Sequence, residues 1–234
     1  ATETAMLTAA RMLREAEPAD GNRLRLDGEI LTAEWIREAM SAELLAQGAE
    51  SEEILVQSGD ACLGGHDPGR GPILQDTTCV VDCFPRDRRS GAHTDMTRTF
   101  VPGTPSDDVV KLHGHVRKAL DLAYETIRPG AEDAHLKVAA YFHSLGFPTI
   151  DHHDGPGHPK AGFNHSLGHG VGLQVHERPR VGRRPEALEV GDVVAIEPGL
   201  YFEGIGGVRL EDTVLVTDRG FEHFTDPFPY DLQP

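Results

Sequence analysis

Cysteine is scarce in this chain: Cys62, Cys79 and Cys83 are the only three in 234 residues, an odd number with no CxxC pair. That excludes a disulfide-stapled scaffold and a cysteine-rich zinc module, and it fits a reducing cytosol. Cys79 and Cys83 fall on one face of a predicted strand, where packing is their expected role. No apolar run approaches the ~20 residues that span a bilayer. The N-terminus has no signal-peptide pattern, so a cytoplasmic location and no membrane partner are expected. Basic residues are also few: 22 Lys and Arg against 38 Asp and Glu give a net charge of −16. Such a balance argues against nucleic acid as a partner. Acidic surplus ordinarily keeps a protein in solution, but it can also hide a carboxylate-rich metal site. The lone Trp35 is read as core. The chain starts at Ala1 rather than Met, so either the initiator was removed or an N-terminal portion precedes it.

The length suits one large domain or two small ones. Ala5, Met6, Ala9, Met12 and Leu13 recur at helical spacing over Thr2 to Ala16. Arg23 to Ile30 is polar and carries no clear period. Thr32 caps a helix running to about Gln47, with Ile36, Met40 and Leu44 on one face and Gly48 as its stop. Strands are expected at Ile54 to Val56, Thr77 to Phe84 and His93 to Val101. Ser106, followed by Asp107 and Asp108, opens a helix whose stripe is Val109, Leu112, Val116, Leu120, Ala123 and Ile127, ending at Pro129-Gly130. A further helix runs from about Glu132 to Leu145. Short strands should follow at Leu173 to Val175, Asp192 to Ile196, Leu200 to Phe202 and Gly207 to Val216. Helix-helix-strands occurs twice, which predicts an α+β fold of two similar halves with helices on one face of an antiparallel sheet.

The densest chemistry lies in Asn164 to Pro179, NHSLGHGVGLQVHERP, where His165, His169 and His176 sit among glycines. Gly168, Gly170 and Gly172 leave one side of the backbone bare for close approach by a ligand or a strand. Any one of these histidines alone would be an ordinary polar residue. Four carboxylates change that reading, because each interrupts an apolar strand: Asp82 after Val80-Val81, Asp95 beside Met96, Glu197 after Val193 to Ile196, and Glu211 within Val208 to Asp212. A carboxylate in a strand core must be paired, hydrogen-bonded or bound to metal. A single one is usually an ion pair or a solvated strand end. Four of them beside His169 call for a common explanation.

VDCFPRDRRSGAHTDMTRTF, GHGVGLQVHERP, AIEPGLY and GGVRLEDT resemble, in order, the blocks of the M24 "pita-bread" metallopeptidases, and the match covers nearly the whole chain. That family includes methionine aminopeptidase, aminopeptidase P and prolidase. The resemblance implies the pita-bread (creatinase/aminopeptidase) fold, with a curved antiparallel sheet, and residues 1–234 as a single catalytic domain. It implies two divalent ions (Mn, Co, Zn or Fe) held by Asp82, Asp95, His169, Glu197 and Glu211. Asp95 and Glu211 would bridge, Asp82 would bind one ion, and His169 with Glu197 the other. Oxygen-rich ligation with one histidine suits manganese, cobalt or iron as well as zinc. One departure concerns Asp82. Family members usually keep the two aspartates two residues closer and place a Gly soon after the first, whereas here they are thirteen positions apart with Cys83-Phe84-Pro85 following. A turn longer by two residues leaves both side chains on their original faces. Asp87 is the fallback.

The same resemblance assigns proton transfer to Glu197, contact near the scissile bond to His66 and stabilisation of the tetrahedral intermediate to His176. It assigns a proline-side contact to His165. Arg209, two residues before Glu211, should share its face, pairing with a substrate carboxylate, orienting Glu211, or forming an internal ion pair with a ligating acid. His152, His153 and His158 have no ligand spacing and read as a solvated loop near the cleft. GGVRLEDTVLVT and GLQVHERP lie closer to the proline-specific branch. The implied activity is exopeptidase hydrolysis of the bond before proline by metal-bridged hydroxide, on short peptides with proline second, of the Xaa-Pro dipeptidase or aminopeptidase P type. The alternatives are methionine aminopeptidase and a metal-free or non-catalytic protein of this fold, as in creatinase. The proline-specific branch normally carries an extra N-terminal domain, which this sequence lacks and which would supply substrate-limiting contacts and the interface of a homodimer.

Overall fold

The computed structural model describes residues 1–153, 159–224 and 228–234. Helix α1 (Thr2–Glu15) buries Ala5, Met6, Ala9, Met12 and Leu13, as their spacing requires. Residues without a clear period form three short strands, β1 (Glu17–Ala19), β2 (Arg23–Leu26) and β3 (Glu29–Ile30), a small antiparallel sheet. Helix α2 (Ala33–Ala46) starts on Thr32, whose hydroxyl accepts from the Trp35 N–H, and Gly48 follows it at φ +77°. Next come β4 (Ala49–Glu50), β5 (Ile54–Ser58), a 3₁₀ turn at Gly59–Gly64, β6 (Cys79–Cys83), β7 (Arg86–Asp87) and β8 (Met96–Phe100). Helix α3 (Asp107–Tyr124) is capped by the Ser106 hydroxyl on Val109 N–H. It stops short of Pro129, yet Ile127 beyond it is still buried. Helix α4 (Ala134–Ser144) completes the second pair.

The remaining strands are β9 (Gly168–Gly170), β10 (Glu177–Val181), β11 (Val193–Ile196), β12 (Gly199–Phe202), β13 (Gly206–Arg209), β14 (Glu211–Thr217) and β15 (Gly220–His223). Two sequence expectations are corrected. There is no strand at Leu173 to Val175: Leu173 is 73% exposed in the β9–β10 connection, and the strand forms one step earlier, on the glycines. A Cβ on Gly168 would lie 2.0 Å from the Ala195 carbonyl oxygen and one on Gly170 2.2 Å from that of Arg178, so only glycine lets β9 pass between its neighbours. The single strand expected over Gly207 to Val216 is broken at Leu210, with β13 pairing to β12 and β14 entering the main sheet.

That main sheet runs β10-β9-β11-β14-β8-β6-β5, antiparallel throughout, with β15 added on β14. Its two halves each carry a helix pair. Cys79, Val81, Cys83 and Met96 pack with α1 and α2, whereas Val194, Ile196, Val214 and Val216 pack with α3 and α4. These residues alternate along their strands with another set, and the alternation decides which side chains face away from the helices. All three cysteines are buried and unpaired. Among the described residues, no helix is long and apolar enough to cross a membrane.

Candidate active site

Strand register builds the site. Asp82 stands opposite Thr97, and Thr97 stands opposite Glu211, across β6, β8 and β14. Further along, His169 stands opposite Ala195 and Ala195 opposite Thr213. Opposed residues share a face, and so do residues two apart. Asp95 (two before Thr97), Glu197 (two after Ala195) and Glu211 (two before Thr213) therefore join Asp82 and His169 on the face turned from the helices. They line a cleft of about 810 Å³, within the ordinary range for small-ligand sites.

The chain fixes each group. Asp95 precedes β8, and its backbone N–H and carbonyl both bond the Thr213 hydroxyl, at 2.9 and 2.8 Å. Thr97 donates to Glu211 Oε2 at 2.5 Å and accepts from Arg209 Nε at 3.1 Å. His169 gives its Nδ1–H to the Gly170 carbonyl at 3.1 Å, which leaves the Nε2 lone pair free. That nitrogen lies 3.8 Å from both Asp95 Oδ2 and Glu197 Oε1. One ligand atom each from Asp95, His169 and Glu211 lie within 4.8 Å of one another. Asp82 and Asp95 each retain a buried Oδ1 with no hydrogen-bond partner.

Burial and mutual repulsion dominate the electrostatics. Desolvation, reinforced by neighbouring acids, holds Asp95 and Glu211 well above the usual carboxylate range. Desolvation lifts Glu197 to about 7. The same burial lowers His169 to about 4, so its imidazole is neutral at neutral pH and fit to ligate. An acid cluster of this kind, with orphan oxygens and a neutral imidazole, is the donor set a hard or borderline divalent cation requires.

Around it stand the remaining residues singled out in the sequence. His176 has its ring 4.2 Å from that of His169, and His66 lies 6.2 Å from His176. His165 donates Nδ1–H to the Ser166 carbonyl at 2.7 Å, and its Nε2 meets the Tyr201 hydroxyl at 3.2 Å. Arg209 faces the cleft although the strand breaks after it, because its N–H and carbonyl both bond Thr99. Its guanidinium pairs with Asp82 and reaches the Tyr201 hydroxyl at 3.3 Å, the internal ion pair among the arrangements the sequence allowed. Asp87, the fallback for Asp82, is exposed at the end of β7, accepting from Ser90 and Arg89. His152 stacks on His143 at 4.0 Å and, like His153, is exposed; His158 lies outside the described residues.

Several lining residues were not singled out from sequence. Tyr201 lines the cleft and Thr97 lies buried beside Glu211, and neither carries chemistry that patterning would flag. Arg180, Arg183 and Arg184 also line the cleft. They form the basic run PRVGRRP in an otherwise acidic chain, a signal the sequence did contain.

Comparison with known proteins agrees with this geometry. A stretch 42% identical over 136 residues, 57% of this chain and 35% of the relative, matches an Xaa-Pro dipeptidase of Pyrococcus horikoshii. The probable dipeptidase PepE of Mycobacterium tuberculosis is 36% identical over 182 residues, 76% of this chain and 45% of its own length. The chain thus matches less than half of each of these relatives. Among solved structures, the prolidase of Pyrococcus horikoshii superposes with a TM-score of 0.79 at 28% identity, over 96% of this chain and 58% of that one. An X-Pro aminopeptidase of Thermotoga maritima gives 0.80 at 25% identity, over 98% and 59%. The curled antiparallel sheet with its two helix pairs is the pita-bread fold. With the model of metallopeptidase family M24 matching residues 1–218, the chain belongs to that family.

Proposed function

We propose that this chain carries the catalytic centre of a metal-dependent exopeptidase that hydrolyses the peptide bond before proline. The observation that carries the reading is the convergence of Asp82, Asp95, His169, Glu197 and Glu211 on one face, with the Oδ1 atoms of both aspartates buried and unpartnered. These five residues would hold two divalent ions, of which manganese, cobalt, iron and zinc all suit the donors. When bound, such ions activate water and polarise a carbonyl oxygen.

The chain's own groups supply the rest. Glu197, on the cleft face with Oε1 3.8 Å from His169 Nε2, would take a proton at a carboxylate oxygen and pass it toward the leaving nitrogen. His176, beside His169, is positioned to donate to a developing oxyanion, and His66 to touch the substrate near the bond. Arg209 and Tyr201 link Asp82 to His165 in one hydrogen-bonded chain, which orders the proline side of the cleft. A bond before proline offers no N–H and presents a fixed ring, so its recognition rests on shape. Phe84, Ile150, Val175 and Tyr201 provide apolar surface in the cleft. Arg180, Arg183 and Arg184 offer positive charge to a free substrate carboxylate, which favours Xaa-Pro dipeptides over longer chains. The P. horikoshii relative named as an Xaa-Pro dipeptidase supports the same choice.

The experiment is an assay of manganese-reconstituted protein on Xaa-Pro dipeptides, Xaa-Pro-Yaa tripeptides and methionyl peptides. Dipeptide kcat/KM should exceed the tripeptide value by about tenfold or more, the worth of a charged hydrogen bond. Higher turnover of tripeptides would point to the aminopeptidase P type, and of methionyl peptides to methionine aminopeptidase. No turnover with metal bound would favour a non-catalytic protein.

A further inference from the structure

His135 is a buried titratable residue outside the cluster above, on the first turn of α4, and its side chain is wholly inaccessible. Both ring nitrogens are spoken for. The backbone N–H of Leu167 reaches Nδ1 at 3.2 Å, and Nε2 lies 2.8 Å from Asp151 Oδ2. A backbone amide can only donate, so Nδ1 is the acceptor and the proton sits on Nε2, given to the carboxylate. The imidazole is thereby held neutral in one tautomer. Asp151 has a second partner, Arg183 Nε at 3.4 Å, on the rim of the cleft.

Leu167 is not an ordinary strand residue. It immediately precedes β9, two positions before His169, and its carbonyl accepts the N–H of Glu197 at 2.8 Å. One residue on, the bare Gly168 lies against Ala195, so β9 and β11 meet here without slack. The N–H and carbonyl flanking Leu167 therefore tie a buried imidazole on one side to the backbone of Glu197 on the other. Phe163 closes the ring from solvent, 5.4 Å from His135 and 5.2 Å from His165.

We propose that His135 and Asp151 are a positioning pair, which fixes the backbone of Leu167 and through it the separation of His169 and Glu197. The inference rests on the reading of those two residues as metal ligands. Neither His135 nor Asp151 touches the metal or the substrate; the pair acts through the peptide it holds, as outer partners of metal ligands do.

The test strips metal from the full chain and titrates it with Co²⁺ alone, read by calorimetry and by visible absorption of the bound ion. A wild-type protein that takes up no Co²⁺ removes the ligand reading itself. Given wild-type binding, His135→Leu is expected to weaken Co²⁺ affinity by about tenfold or more and to alter the absorption bands. His135→Asn places an acceptor oxygen where Nδ1 stood but no longer reaches Asp151, and should bind Co²⁺ more tightly than the leucine variant without regaining the full wild-type affinity. Unchanged Co²⁺ affinity and spectrum in the leucine variant would overturn the proposal, whatever happened to its unfolding temperature. So would an asparagine variant as impaired as leucine. If His135→Leu does not fold, Asp151→Leu replaces it, with weaker Co²⁺ binding and an altered spectrum expected, and wild-type values of both contradicting the pair.

Discussion

Glu211 and Asp212 are sequence neighbours on one strand, and the sheet gives them opposite fates. Asp212 points to the helix side, where Arg98 Nη2 meets it at 2.7 Å and the hydroxyls of Tyr124 and Tyr230 also donate to it. Arg98 spends its other donors on carbonyls of Thr97, Glu211, Phe228 and Pro229, and Tyr230 lies under it at 4.3 Å. Both charges of this pair are answered. On the cleft side Glu211 has Thr97 and three further carboxylates around it, and the buried guanidinium beside them, that of Arg209, is engaged by Asp82. Burial is similar on the two faces, at 2% exposure for Glu211 and 1% for Asp212. The difference is therefore not depth but pairing. A satisfied acid holds the fold together, whereas a surplus of buried acid is a cost that a bound cation or a bound proton must offset.

The comparison can be broken first at Arg98. Arg98→Leu leaves Asp212 buried with two hydroxyls and no counter-charge, and should cost about 3 kcal/mol or more in stability, as removing one partner of a buried pair does. Chemical denaturation checks it. A loss of less than about 1 kcal/mol would mean that the helix side is no better paired than the cleft.

The next effect belongs to the cleft. Glu197→Gln keeps one oxygen and loses the titrating one, so with metal content held equal kcat should fall about a hundredfold or more, with KM far less disturbed. Steady-state kinetics beside metal analysis gives the answer, and a near wild-type kcat would remove Glu197 from proton transfer.

The third effect is a pH slope. Glu197 has a folded pKa near 7 against an ordinary value of 4.5, so the metal-free folded state binds more protons than the unfolded state between those limits. Its contribution is complete below about pH 4.5 and is lost as pH rises through about 7. Metal-free protein should thus lose thermal stability over that window, and Glu197→Gln should flatten the loss. Thermal melts across the range would contradict this if the two proteins ran parallel.

Much of this arrangement was legible in the sequence, because period and chemistry agreed there. The stripes of α1, α2 and α3 and the caps Thr32 and Ser106 are local, and the structure follows them. The acids interrupting apolar strands stood out for the reason that now matters, that burying them needs a partner. What could not be read is long-range. Thr97 and Thr213 acquire their roles from register across strands more than a hundred residues apart in sequence. The β9 glycines pointed to a close approach, but not to which strands would make it, so the strand was expected at Leu173 instead. The break at Leu210 follows from its N–H turning to Pro198, which no local pattern announces.

The central claim is that the cleft acids are a cation site and not a misplaced ion-pair network. Calorimetric titration of metal-free protein with Mn²⁺ tests it most directly, run on wild type and on Glu211→Gln, which removes a charge proposed to serve both ions. The account predicts two equivalents bound by wild type, weaker and fewer in the variant, and a metal-free variant at least as stable as wild type because one buried charge is gone. Wild type that binds no Mn²⁺, or a variant that binds it unchanged, would contradict the account.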